Sequence, residues 1–169
     1  YGVPDALIKG IEAFLPKDII DIINKFDGLE LENRNTPATF DRWAKRGHVL
    51  VYGSGKEMLE NSGTPIRDNE SKGFIANRRF RSRHQLEGLC GDSYAIPTVG
   101  FTLKEIESAV ERFAAYVNAH PELTFLVTNI GCSKKAGHSP SEIAPMFRCI
   151  ADRPNVYLPK EFRKVIEEL

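Results

Sequence analysis

The chain has 169 residues, a length that fits one domain and leaves little room for two. It is 41% apolar and 27% charged, with 23 Lys plus Arg against 23 Asp plus Glu. That balance argues against general nucleic-acid or membrane-surface binding, which needs a large basic excess. No apolar run approaches the roughly 18 residues that span a bilayer, and no signal peptide is visible from Tyr1 onward.

Two short helices are predicted to open the chain. Pro4 to Phe14 carries Leu7, Ile8, Ile11 and Phe14 at helical spacing, and Lys17 to Phe26 carries Ile19, Ile20, Ile23 and Phe26 after the break at Pro16. Residues 28–38 are polar and read as a connector, followed by a helical turn or two over 39–46 with Phe40 and Trp43 on one face. The pattern then changes. His48 to Tyr52 is a continuous apolar run closed by Gly53-Ser54-Gly55, which predicts a buried strand. A long polar loop over 56–72 and a helix over 71–81 come next, the latter ending in the basic cluster Arg78, Arg79, Arg81 and Arg83. Gly88 and Gly91 bracket a turn, and Ser93 to Ile96 is a second strand ended by Pro97.

A helix follows over 102–119. Thr102 and Glu105 form a capping box, and Ile106, Val110, Phe113 and Val117 make one apolar stripe. Leu123 to Thr128 is a third strand and 129–137 a glycine-bearing loop. Ser139, Pro140 and Glu142 mark the start of a short helix that buries Ile143, Met146 and Phe147. Asn155 to Leu158 is a fourth strand. The helix at 160–169 closes the chain with Phe162, Val165, Ile166 and Leu169 inside.

From residue 48 onward strands alternate with helices, which predicts an α/β fold on a mostly parallel sheet. The first and third strands are expected at its centre, since both are apolar on both faces. Residues 1–46 form an N-terminal helical extension, and 47–169 the α/β domain. The extension is expected to pack on the core through Ile11, Ile19, Ile23 and Trp43, or to carry a homodimer or protein-partner contact.

Ligands of an open parallel sheet bind beyond the carboxyl ends of its strands. Here those ends are Gly53, Ser54 and Gly55, then Thr98, then Asn129, Gly131, Cys132, Ser133, Gly137 and Ser139. Glycines let a backbone turn its N–H groups toward a phosphate, and a helix start attracts anions. The pattern is that of a diphosphate cradle, with the Ser54 and Ser133 hydroxyls as further donors and Lys134 and Lys135 adding charge. Glycine-rich turns also serve simply as tight turns, and the two lysines as a solvated loop tip. The spacing fails both the Walker and the dinucleotide glycine motifs, since only Gly53 and Gly55 are in place.

Other reactive residues have plainer readings. The arginine cluster is read as a helix end pairing with Glu70, Glu87 or Asp92 rather than as a nucleic-acid surface. Cys132, with His138 six residues on, is read as a small buried residue rather than a nucleophile. Three cysteines, Cys90, Cys132 and Cys149, are too few for a disulfide scaffold and match no zinc spacing, which predicts a reducing, cytoplasmic setting. The scattered His48, His84, His120 and His138 predict no metal site, and no cofactor is expected.

Several segments occur here in a distinctive order: Val51 to Ser54, Gly88 to Thr98 (GLCGDSYAIPT), His120 to Cys132 (HPELTFLVTNIGC), Ile143 to Phe147 (IAPMF) and Val156 to Pro159 (VYLP). The series resembles a family of small bacterial and phage proteins with the signature VFGSN…GLQGxSYAIPT…HPELTFxVTxIGCGxAG, covering about residues 48–163. That family is in turn similar to macrodomains, which bind ADP-ribose and related NAD-derived nucleotides. The resemblance implies a three-layer macrodomain-like fold, with Gly131 to Gly137 as the distal-phosphate loop. It implies an ADP-ribose-like nucleotide as ligand, and a reader, a sequestering protein or a weak hydrolase as the role. The chain departs from the signature at Gly55, where the family has asparagine, and over Lys56 to Ala76, which replaces a glycine-rich stretch. Hydrolytic macrodomains often need an asparagine in that region, so the departure bears on hydrolysis more than on fold. A non-enzymatic interaction module with a degenerate nucleotide cleft is the alternative.

Overall fold

In the computed structural model, the structure describes residues 34–37, 48–56, 76, 80–83 and 85–169. The helices read over 4–14, 17–26 and 39–46, the packing of Ile11, Ile19, Ile23 and Trp43, and most of the 71–81 helix lie outside the described residues.

The described elements are β1 (His48–Gly55), β2 (Gly88–Cys90), β3 (Ser93–Val99), α1 (Leu103–Ala119), β4 (Thr124–Val127), α2 (Pro140–Ile143), a 3-10 helix (Ala144–Ile150), β5 (Val156–Tyr157) and α3 (Lys160–Glu167). The five strands form one sheet in the order β2-β3-β1-β4-β5. β1 pairs in parallel with β3 and β4, and β4 in parallel with β5, while β2 runs antiparallel to β3. All four expected strands therefore lie in one sheet, with β1 and β4 interior.

Side-chain alternation divides the sheet into two buried faces. Val49, Val51, Ile96, Phe125, Val127 and Val156 point to the face that carries α1, the 3-10 helix and α3, and meet Ile106, Val110, Phe113, Phe147 and Phe162 there. Leu50, Tyr52, Ala95, Leu126 and Tyr157 point the other way and pack with Ala76 and Phe80. A strand buried on both faces needs apolar residues at successive positions, which is why His48 to Tyr52 lacks alternation.

The capping box forms as expected. Thr102 Oγ1 accepts from the Glu105 N–H at 3.2 Å and the Thr102 N–H donates to Glu105 Oε1 at 3.0 Å. The predicted stripe Ile106, Val110, Phe113 and Val117 is buried. Phe113 stands at its centre, with ring centroids 4.9 Å from Tyr94, 5.5 Å from Phe125 and 6.3 Å from Phe147.

Four expectations need correction. The turn expected between Gly88 and Gly91 is shorter: Gly88 begins strand β2, and Gly91 at φ 60° makes the two-residue connection to β3. A three-residue strand is too short to show alternation. The second strand does not end at Pro97 but runs to Val99: Pro97 keeps its place opposite Ser54, and the register shifts only after it, so that Gly55 faces Val99. The short helix after Ser139 changes to 3-10 at Ala144, where Pro145 removes an α-helical donor, and Met146 is only half-buried. Leu169, expected inside, is 59% exposed beyond the end of α3.

Among the described residues, no helix is long and apolar enough to cross a membrane. No group of three or more His, Cys, Asp or Glu side chains there could hold a metal.

Candidate functional site at the β1–β4 switch point

After β1 the chain leaves toward β2 and β3, and after β4 it leaves toward β5 on the other side. Between two neighbouring parallel strands whose connections part in this way, the loops separate and leave a crevice at the carboxyl edge. β4 stops pairing with β1 at Val127, opposite Val51, while β1 continues beside β3 to Gly55. Thr128 fixes the parting: its N–H and its Oγ1 both donate to the Val51 carbonyl, at 3.1 and 2.7 Å.

Beyond that point the two backbones meet through glycines. A Cβ on Gly53 would stand 2.7 Å from Thr98 Oγ1 and 3.7 Å from the Gly131 nitrogen. Gly131 has φ 74°, and a Cβ there would stand 2.9 Å from Ile143 Cδ1. Thr98 is buried, and its Oγ1 donates to the Ser54 carbonyl at 3.1 Å, bracing β1 against β3. Gly55 is equally close to its neighbour: a Cβ would meet Val99 Cβ at 3.0 Å.

The 129–138 loop is closed on itself. The His138 N–H donates to the Gly131 carbonyl at 3.0 Å, Gly137 to the Ser133 carbonyl at 2.8 Å, Ala136 to Ser133 Oγ at 3.2 Å, and Cys132 to the Asn129 carbonyl at 3.3 Å. The N–H groups of Gly131, Ser133 and Lys134 have no hydrogen-bond partner among the described residues. A fixed loop holding unpaired amides is suited to an anion. Asn129 is half-buried beside it, and Lys134 and Lys135 are exposed on the tip.

Gly53, Gly55, Thr98, Asn129, Gly131, Cys132, Ser133 and Gly137 thus lie along the carboxyl ends of β1, β3 and β4. Of the expected hydroxyl donors Ser54 is already engaged, and so is Ser139 at the expected helix start. Ser54 is 1% exposed on the opposite face of β1, and its hydroxyl donates to the Leu86 carbonyl. Strand alternation puts residue 54 on the face away from Gly53 and Gly55, so this hydroxyl is not the donor that the sequence suggested. At Ser139 both the N–H and the hydroxyl donate to Glu142 Oε1, at 3.0 and 3.2 Å. The start of α2 therefore has its own carboxylate in place. Ser133 Oγ accepts from Ala136 and keeps its proton for donation.

Cys132 is half-buried against the core, in keeping with a packing role. Of the arginine cluster, Arg81 makes a two-pronged ion pair with Asp92, both contacts 2.9 Å. Glu87 takes Arg112 instead, and Arg78 and Arg79 lie outside the described residues.

Two features of this rim carry no mark in the sequence. Thr36 Oγ1 donates to the Val127 carbonyl at 2.6 Å, bringing the 34–37 segment to the end of β4. Lys56, just after Gly55, rests its ammonium 5.2 Å from the centre of the Phe101 ring. Thr36 is separated from Val127 by 91 residues, and no local pattern marks either contact. Compared with family profiles, curated proteins and solved structures, the chain finds no match in any of the three.

Proposed function

We propose that the chain binds an ADP-ribose-like, NAD-derived nucleotide in the crevice between the carboxyl ends of β1 and β4, in a three-layer fold of the macrodomain kind. The observation that carries this reading is the loop after β4, whose Gly131, Ser133 and Lys134 amides have no hydrogen-bond partner among the described residues. Amides left unpaired at the carboxyl edge of a parallel sheet can reach a diphosphate by hydrogen bonds from the main chain. The N–H groups of Gly131, Ser133 and Lys134 are the donors in this reading, and the Ser133 hydroxyl adds one more. Recognition by fixed dipoles needs no local excess of cations, which accords with zero net charge. The role is that of a reader or sequestering protein. Gly55 in place of the asparagine expected from the resemblance leaves hydrolysis weak.

Calorimetric titration with ADP-ribose tests this: one nucleotide per chain is expected, with binding lost in Gly131→Val. That variant is first checked for the parent's circular dichroism. No binding at millimolar nucleotide would overturn the reading.

One observation favours a second reading. The Ser54 hydroxyl is turned away, and the loop's Ala136, Gly137 and His138 amides are used internally. On that basis the cleft would be degenerate and the chain an interaction module contacting a partner through residues 1–46. Binding of no phosphorylated ligand would favour it.

A further inference from the structure

Away from the β1–β4 edge, two guanidinium groups meet with no ion-paired carboxylate among the described residues. The 34–36 segment bridges to Leu158, just past β5, with the Leu158 N–H donating to the Arg34 carbonyl at 3.1 Å and the Thr36 N–H to the Leu158 carbonyl at 2.8 Å. Arg163 on α3 reaches across this junction. Its Nε donates to the Arg34 carbonyl at 3.0 Å, Nη1 to the Ala151 carbonyl at 2.9 Å and Nη2 to the Val156 carbonyl at 3.1 Å. Arg34 Nη2 approaches the same Ala151 carbonyl at 3.4 Å. One carbonyl oxygen thus draws both cations together.

Neither arginine has an ion pair among the described residues. Both side chains are half-buried, where charges are poorly screened. Burial, and then the neighbouring Arg34 charge, lower the proton affinity of Arg163, against a smaller opposing pull from Glu167. Arg34 Nε is enclosed and has no hydrogen-bond partner. Arg34 also holds φ 51°, a left-handed conformation uncommon for a side chain with a Cβ. Two half-buried like charges share neutral acceptors, and among the described residues only the nearby Glu167 carboxylate, with no ion pair to either, offsets them in part, so a small oxyanion adds compensation.

We propose that Arg34 and Arg163 form a second, separate site for a phosphate-class oxyanion, either free phosphate or the phosphoryl group of a small monoester. The Nη edges, rather than the enclosed Arg34 Nε, are the surface that the ion reaches. A phosphate dianion matches the combined charge of two guanidiniums, and its oxygens accept several N–H groups at once. The junction joins the 34–37 segment, the end of the 3-10 helix and α3, so an ion there also ties the N-terminal segment to the core.

The test is a titration of ¹⁵N-labelled full chain with inorganic phosphate at constant ionic strength, following the Nε–Hε signals of Arg34 and Arg163. Both signals are expected to shift along one saturable curve, while chloride leaves them in place. The melting temperature should rise by about 2–4 °C when phosphate exceeds its Kd about fivefold. Arg34→Gln should weaken phosphate binding by about tenfold or more, the loss of one charge-assisted contact of about 1.4 kcal/mol. Should that variant fail to fold, Arg34→Lys keeps the charge but loses the planar fork and should weaken binding several-fold.

A parallel titration with ribose 5-phosphate separates the two sources: the tighter ligand identifies which one the site takes. Shifts confined to the Gly131, Ser133 and Lys134 amides would belong to the β1–β4 crevice and overturn the proposal. So would arginine signals that do not saturate, or that move equally in chloride. Failure of ADP-ribose to bind leaves this site unaffected.

Discussion

Gly53 and Gly131 meet across the switch point closely enough that a methyl group on Gly53 would lie 3.7 Å from the Gly131 nitrogen and 2.7 Å from Thr98 Oγ1. The backbones of β1 and of the loop after β4 are held together by the absence of side chains. Gly53→Ala is therefore expected to cost about 1–3 kcal/mol by overpacking. Most of that coupling should vanish in a Thr98→Ala background, because the contacted hydroxyl is gone. A double-mutant cycle by urea denaturation measures it, and strictly additive losses would show that Gly53 is not constrained by Thr98.

The loop lysines should matter little to nucleotide binding. Lys134 and Lys135 are exposed, and exposed charges are screened by salt. Replacing either with Ala is expected to change ADP-ribose affinity by less than about fivefold, within about 1 kcal/mol. A loss as large as that of Gly131→Val in the same calorimetric series would mean that charge, not backbone dipoles, dominates recognition.

Phe113 is fully buried among Tyr94, Phe125 and Phe147. Phe113→Ala should cost about 3–5 kcal/mol, the sum of lost transfer energy and the cavity left behind. Chemical denaturation reads it, and a loss under about 1 kcal/mol would mean that the α1 stripe is not anchored at this ring.

Acid should loosen the start of α1. The Thr102 backbone N–H, and then its side chain, hold the Glu105 carboxyl below the usual carboxylate range. A carboxylate lowered by folding stabilises the fold above its unfolded pKa. That contribution is lost as the pH falls through the lower folded value. Glu105→Gln should therefore reduce stability near neutrality and flatten its decline under acid. Identical pH profiles for parent and variant, followed by thermal melts, would remove Glu105 from the account.

The Thr36 hydroxyl, bonded to the Val127 carbonyl at 2.6 Å, ties the N-terminal segment to the end of β4. Thr36→Val keeps the shape and removes the donor, at an expected cost of about 0.5–1.5 kcal/mol. Amide exchange over 34–36 should quicken relative to the β1 amides. Unchanged protection in that segment would assign its hold to the Leu158 bonds alone.

The elements that rest on local chemistry were legible in the chain before any packing was known. Thr102 and Glu105 cap the same helix whatever surrounds them, and the run from His48 to Tyr52 must lie in a sheet covered on both faces. Gly53, Gly131 and Gly137 could be read as a glycine-bearing rim because strand ends and turns are marked in the chain itself. Long-range packing set the rest. β2 exists because β3 offers it an edge, and Pro97 stays in a strand because β3 is held in register against β1 on either side of it. Ser54 faces Leu86 because strand alternation, set by the buried residues before it, puts it on the other face. The meeting of Arg34 and Arg163 joins positions 129 residues apart. A hydrogen bond between such distant groups leaves no periodic trace in the chain, since what fixes it is the packing of α3 against the 3-10 helix and the pairing of the 34–36 segment with Leu158.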